Sequence, residues 1–374
     1  MDDVALLSRL VSFDTASHRS NLALVDFLCE YAAPARAERV PSPDGTKANL
    51  VLRFGPDEGE GLILCGHMDV VPAEEEGWRS DPFRLREEEG RLFARGACDM
   101  KGFLAVATNL AMAETGGLRG PLVLVLTYDE ETGTAGARDL VERWPLFGTL
   151  PRRAIIGEPT ELSVVRMHKG HVRVRITMRG VAAHSALPHL GRNAIEAAAR
   201  VLASLRGLRH RLERAGGPNA SHFPEAPHVT LNVGRIEGGV ATNVVPDRCL
   251  IDVGVRPLPG MEAAEVVQQV REAVANAAGD APFQVDVPAE SPPMLLDRGS
   301  PLHGALCAAA DQHGEAAMPY ATDGGWLARA GISCAVFGPG SISVAHKPNE
   351  YVTRADLSRA RTVLRTALGR CNLL

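Results

Sequence analysis

The sequence predicts an α/β chain with a mixed, mainly parallel sheet flanked by helices, interrupted by an inserted α+β domain. Three observations carry this expectation. Short, predominantly apolar runs recur at 62–65, 121–127, 153–156 and 334–337, as parallel strands buried on both faces require. Helical stripes separate these runs. Between about 167 and 283 the texture changes to alternating, strand-like segments and two amphipathic helices, the pattern of helices on an antiparallel sheet. At 374 residues the chain exceeds one ordinary core, so two domains are expected. We place a first domain at 1–166 and 284–374, split by a second at 167–283.

In order, residues 2–13 carry Val4, Leu7, Leu10 and Val11 at helical spacing, and 20–33 carry Leu24, Phe27, Leu28 and Tyr31. Short strands follow at 37–40 and 49–54, where Leu50 and Leu52 alternate with Val51 and Arg53. The strand at 62–65 ends at Gly66, and His67 and Asp69 come next. Residues two apart in extended chain share a face, so both side chains are expected at the strand's C-terminal end, where open α/β sheets place ligands. A His hydrogen-bonded to its neighbouring Asp explains the pair as simply as a metal ligand does. Residues 73–82, with Glu74–Glu76 and Trp78, read as a solvated loop, and 83–94 as a hairpin turning at Glu89-Gly90.

Asp99 lies in the run Gly96-Ala-Cys-Asp-Met-Lys-Gly102, just before an apolar helix at 103–113. An N-cap, worth about 1 kcal/mol, is its plain alternative role. The strand at 121–127 runs into Asp129, Glu130 and Glu131, and that at 153–156 into Glu158. One acidic loop is ordinary. Three apolar strands delivering carboxylates and a His to one sheet edge point to a bound cation, because unpaired buried acids are costly. In the insert, strands are expected over 168–181 and 228–255, helices over 193–207 and 263–278, and a long loop over 208–227. A helix at 300–313, a strand at 334–337 and a helix at 355–369 close the chain, with His346 in the loop after 337.

Composition limits the function classes. The chain is 45% hydrophobic and 23% charged, with a formal net charge of −5, which argues against nucleic acid or an anionic membrane as a partner recruited by overall charge. No apolar run approaches the ~18 residues of a membrane span. Met1-Asp-Asp-Val lacks the basic start of a signal peptide. The seven cysteines show no metal-finger or CxxC spacing, as expected of reduced thiols in a cytoplasmic enzyme.

Collected, His67, Asp99, Glu131, Glu158 and His346 form a mixed nitrogen and oxygen donor set that suits Zn, Co or Mn. Asp99 is the natural bridge between two ions, and a dinuclear site of that kind activates water at neutral pH. Glu130, beside a ligand, suits the general acid/base. Asp69 suits a bond to the free nitrogen of His67. Cys65 and Cys98 also flank candidate ligands, but buried thiols usually serve as small apolar residues. A dinucleotide enzyme would need GxGxxG after an early strand, which is absent, and a binding protein with a dead centre would have lost Glu130 or a ligand.

These motifs, His67-Met-Asp-Val-Val-Pro, Asp99-Met-Lys-Gly, Asp129-Glu-Glu-Thr-Gly, Gly157-Glu-Pro-Thr and Ala345-His-Lys-Pro, resemble those of the di-zinc deacylases and exopeptidases. That family includes acetylornithine deacetylase, succinyl-diaminopimelate desuccinylase, aminoacylase and carboxypeptidase G. The resemblance spans nearly the whole chain, with all five motifs in family order. It implies a zinc-peptidase-like catalytic domain and an inserted lid that makes a homodimer. By position, Asp99 bridges two Zn2+, with Co2+ or Mn2+ as substitutes. His67 and Glu158 complete one site, Glu131 and His346 the other, with Glu130 as acid/base and Asp69 as orienting residue. His184, in Gly180-Val-Ala-Ala-His-Ser, resembles a residue that reaches the partner's active site as an oxyanion donor. Asn243 and Arg256 resemble contacts to the substrate carboxylate, although a turn Asn and a surface Arg explain them equally well.

Within the family, Phe337-Gly-Pro-Gly-Ser-Ile and Ala345-His-Lys-Pro-Asn-Glu-Tyr look like the acetylornithine deacetylase branch. The implied substrate is an N-acyl amino acid, N-acetyl-L-ornithine, in arginine biosynthesis; desuccinylase, other acylamino-acid hydrolase and dipeptidase or carboxypeptidase activities share the same centre. Asp323 or Glu350 is available to meet a cationic substrate side chain, or is structural.

Overall fold

The computed structural model describes residues 1–33, 35–143 and 150–374. They form two compact units, one of Met1–Met167, Leu295–Ala317 and Thr322–Leu374, the other of His168–Met294 and Met318–Ala321.

The first unit is built on a nine-stranded mixed sheet. At its centre four strands run parallel in the order Leu122–Thr127, Leu62–His67, Arg153–Ile156 and Ser333–Val336. Ala48–Phe54 and Arg36–Pro41 extend it antiparallel. The register aligns His67 with Thr127, Cys65 with Ile156, and Ile156 with Val336. The C-terminal ends therefore finish level, and the loops after them start side by side.

Alternation along the strands divides the core. Leu62, Leu64, Leu122, Leu124 and Leu126 join one buried cluster with Phe103, Leu104 and Leu110 of the helix Gly102–Glu114. That helix buries Gly102 through Ala111 without a polar face, as expected of a helix enclosed by other elements. The helices Asp3–Val11 and Arg354–Arg370 pack against it. Each leucine so buried contributes roughly 1.5–3 kcal/mol. On the opposite strand face lie Ile63, Cys65, Val123 and Val125, all buried. His67 and Thr127 fall on that same alternation.

The second unit is a four-stranded antiparallel sheet in the order Thr230–Gly238, Arg248–Arg256, His171–Arg179, Phe283–Ser291. The helices Ala194–Ala215 and Ala263–Ala278 pack on each other and on the sheet. Two expectations need correction. Residues 208–215 are not loop: Val201, Leu205, Leu208 and Leu212 form one unbroken buried stripe, which carries the helix past Gly207 despite its polar, glycine-bearing surroundings. The expected return to the first domain at 284 is also too early, because Phe283–Ser291 is an edge strand of the insert's own sheet and the unit runs to Met294. Among the described residues no helix is long and apolar enough to cross a membrane.

Candidate metal centre

Five side chains converge at the level strand ends, from five different segments. His67 ends its strand, and Glu158 follows the next strand by two residues. Gly157 between that strand and Glu158 is required by packing, since a Cβ there would lie 2.0 Å from the Phe103 ring. Asp99 comes from the kinked turn Ala97–Lys101 at the start of the long helix, with a non-helical backbone at Asp99 itself. Its side chain does not cap that helix, so the N-cap alternative fails. The peptide bond between Asp99 and Met100 is cis. Glu131 lies in the turn after Thr127, and His346 in the loop after Val336 with a left-handed backbone, φ 59°.

Two donor triads result, His67–Asp99–Glu158 and Asp99–Glu131–His346, each with its ligand atoms within 4.8 Å of one another. Asp99 belongs to both. Its Oδ1 lies 3.0 Å from His67 Nε2, and its Oδ2 lies 3.2 Å from His346 Nε2. His346 Nε2 is also 3.0 Å from Glu131 Oε1. His67 Nδ1 lies 2.9 Å from the carbonyl oxygen of Asp69. A carbonyl can only accept, so Nδ1 carries a proton, and Nε2 is left facing the Asp99 carboxylate. Either a second ring proton or a bound cation can stand between that nitrogen and the carboxylate.

The electrostatics say the same. Burial and the Glu158 carboxylate push Glu130 well above the ordinary carboxyl range, and burial with Asp99 does so for Glu158. Glu131 rises for the same two causes, burial and Asp99. Burial also opposes charge on Asp99, but hydrogen bonds from His346 and His67 outweigh it and hold the carboxyl far below its usual range. Hydrogen bonds to Asp99 and Glu131 lift His346 to about 10. Four carboxylates crowded around two imidazoles carry more negative charge than the two rings can offset, and cations between them would remove the excess.

Sequence reading placed the Asp69 carboxylate against His67. The structure puts it mainly elsewhere, 3.7 Å from Nδ1. It accepts the N–H of Glu130 at 3.0 Å and of Glu131 at 3.3 Å, and the Ser17 hydroxyl at 2.7 Å. Asp129, the first of the three consecutive acids, turns away to Lys47, which also donates to the Ser17 carbonyl. Ser17 and Lys47 gave no signal in the sequence because they lie 52 and 82 residues from Asp69 and Asp129.

Asp323 and Glu350 are each 1% exposed and bonded to the chain itself, the arrangement of their structural alternative. Asp323 Oδ2 accepts from Thr127 Oγ1 at 2.5 Å, and burial raises its carboxyl to about 6. Glu350 accepts the N–H groups of Cys98 and Asp99. Cys65 and Cys98 are buried, with thiols raised by burial, and neither belongs to a donor triad.

The insert holds the other three candidates. His184 and Asn243 sit on adjoining loops: Ser185 N–H donates to the Asn243 carbonyl at 3.0 Å, and Val245 N–H to the Ala183 carbonyl at 2.8 Å. Both are exposed. Arg256 ends its strand and is half-buried, with a 3.5 Å contact to the Pro319 carbonyl, and burial lowers its pKa.

The model of the peptidase family M20/M25/M40 matches residues 63–370. The chain belongs to this family. It is thus a hydrolase, and the match covers every residue of the two triads. Relatives in the M20 family include acetylornithine deacetylase of Myxococcus xanthus, 38% identical over 98% of this chain and 96% of that protein. Acetylornithine deacetylase of Proteus mirabilis is 35% identical, over 94% and 90%. The fold is that of M20 enzymes of known structure. The metallo-carboxypeptidase Sso-CP2 of Sulfolobus solfataricus superposes with a TM-score of 0.80 at 18% identity, covering 100% of both chains. A dinuclear metal-binding M20 peptidase of Bacillus subtilis, YXEP, gives 0.68 at 16% identity, over 99% and 97%.

Proposed function

We propose that this chain is a dinuclear metal-dependent amide hydrolase that converts N-acetyl-L-ornithine and water to L-ornithine and acetate, a cytoplasmic step of arginine biosynthesis. The observation that carries the chemistry is the pair of donor triads sharing Asp99. The substrate follows from the acetylornithine deacetylases that resemble nearly the full chain.

In this reading Asp99 would be shared by two ions, His67 and Glu158 would hold one, and Glu131 and His346 would hold the other. Two nitrogens, three carboxylates and no thiolate fit Zn2+, with Co2+ or Mn2+ as substitutes. Bound there, such ions make water acidic enough to attack at neutral pH and draw charge from an amide carbonyl. Glu130 takes the proton of the attacking water and passes it to the leaving amine. Its raised proton affinity suits a group that must both accept and return a proton. Asp69 holds Glu130 and Glu131 in place through their main-chain N–H groups.

The insert is read as a lid and dimerisation domain. Arg256 and Asn243 would bind the substrate carboxylate, an anion that suits a guanidinium fork. His184 would donate to the developing oxyanion in the partner subunit's site of a homodimer. Asp323 supports the strand end through Thr127 rather than touching substrate.

The test is hydrolysis by chelated protein, with and without added Zn2+ or Co2+, of N-acetyl-L-ornithine, N-succinyl-LL-diaminopimelate and N-acetyl-methionine. Metal-restored activity selective for N-acetyl-L-ornithine is expected. Selectivity for another substrate would keep the chemistry and discard the assignment to ornithine. Protein that binds no metal would overturn both.

A further inference from the structure

Three loops meet behind Asp99, and a buried ion pair stands where they meet. Glu350 Oε1 accepts the N–H of Cys98 at 2.9 Å and of Asp99 at 3.0 Å. Its Oε2 accepts from Arg95 Nη1 at 2.9 Å, and both side chains are 1% exposed. Arg95 also donates to the carbonyls of Lys347 at 3.4 Å and Pro72 at 3.2 Å, and it pairs with Glu75. Glu75 is therefore not part of a purely solvated loop, as its sequence context suggested. The guanidinium lies 5.2 Å from the centroid of the Trp78 ring. Asn349 adds two bonds, accepting from Arg79 N–H at 3.0 Å and donating to the Gly77 carbonyl at 2.8 Å.

We propose that the Arg95–Glu350 pair is a positioning device for the metal position formed by Asp99, Glu131 and His346, setting the separation of Asp99 and His346 without touching an ion. The inference rests on the dinuclear reading above. Glu350 is four residues from His346 and grips the main chain at Asp99, so one carboxylate fixes both ligand segments. Arg95 then ties that carboxylate to the loop following His67. The other position shares Asp99, but its remaining two ligands depend less on these loops, because His67 ends a strand and Glu158 follows one by two residues, both set by the sheet ladder. Removing one partner of such a pair leaves the other charge buried and uncompensated, and the strain falls on the loops rather than on the sheet.

The experiment is titration of metal-free protein with Zn2+ in competition with a chromophoric chelator, for the wild type, Glu350→Gln and Arg95→Lys. Glu350→Gln keeps the shape and removes the charge; Arg95→Lys keeps the charge and removes the fork, and it carries the test if the first variant does not fold. Two ions should bind the wild type. In the variants the first should bind within about threefold of wild type and the second at least about tenfold more weakly, the scale seen when groups supporting metal ligands are replaced. Added Zn2+ should then restore turnover toward wild type, which a purely structural defect would not allow. Two ions bound by a variant with wild-type affinity, or both weakened equally, overturn the inference alone. A wild type that binds fewer than two ions overturns the dinuclear reading and this inference with it.

Discussion

The carboxylate of Asp69 accepts the main-chain N–H of Glu130 at 3.0 Å. The residue two positions after His67 thus positions the proposed acid/base, which comes from a different strand. Its other oxygen receives the Ser17 hydroxyl and the Glu131 N–H. All three partners are donors, so only an acceptor fits.

Asp69→Asn should therefore disrupt the site while nearly preserving its volume, because the amide presents N–H groups to donors. Turnover is expected to fall by about 10–100-fold, the range for groups that orient metal ligands. Steady-state kinetics at saturating Zn2+ checks this; near wild-type kcat would mean that the Glu130 turn holds without Asp69.

Glu130→Gln should retain two metal ions and lose about 10²–10⁴ in kcat, the usual contribution of a positioned proton carrier. Metal content measured by atomic emission beside the kinetics separates the two effects. A variant that turns over normally would remove Glu130 from the mechanism.

His184 is proposed to serve the partner subunit, and a mixing experiment reads this directly. His184→Ala and Glu130→Gln should each be nearly inactive alone. Unfolded and refolded together, they should regain about a quarter of wild-type activity, since half the dimers are mixed and each mixed dimer of an isologous pair has one complete site. Absence of any recovery, with dimers formed, would place His184 outside the partner's site.

Gly157→Ala places a Cβ 2.0 Å from the Phe103 ring, directly before Glu158. Overpacking of this kind is expected to cost about 1–3 kcal/mol. It should lower the denaturant midpoint and weaken metal binding at the His67–Glu158 position together. A midpoint equal to wild type would show that the helix can shift to admit the methyl.

His168 is fully buried, and burial lowers its pKa from the ordinary 6.5 to about 4. Between those values the unfolded chain binds a proton that the folded chain does not. Stability is therefore fully present above pH 6.5 and declines as pH falls toward 4, by a total on the order of 3 kcal/mol at 1.36 kcal/mol per pKa unit. Denaturant melts of the wild type and His168→Asn across that range test it. The variant should show a shallower slope, and identical slopes would assign the acid sensitivity elsewhere.

Much of this was legible in the sequence. Strand periodicity and strand ends are local properties, so the runs before His67, Asp129 and Glu158 marked three neighbouring strand termini and the acids they deliver. Register, set by the apolar faces of those strands, then brought His67 level with Thr127 and Cys65 level with Ile156. Where local composition misled, a longer-range pattern prevailed, as in the helix that continues through Leu208 and Leu212.

The tertiary structure alone decided which polar group meets which. Sequence order does not show that Asp99 and Glu350, 251 positions apart, are bonded, or whether a carboxylate is buried as support or exposed to substrate. Asp323 and Glu350 looked suited to a cationic substrate, yet each is enclosed and bonded to the chain itself. Donor and acceptor matching in a desolvated interior depends on distances that only packing sets. The sequence determined the ligand types and the sheet that presents them; the folded chain determined how Asp69, Arg95 and Glu350 hold them there, because burial makes each unmatched polar atom costly.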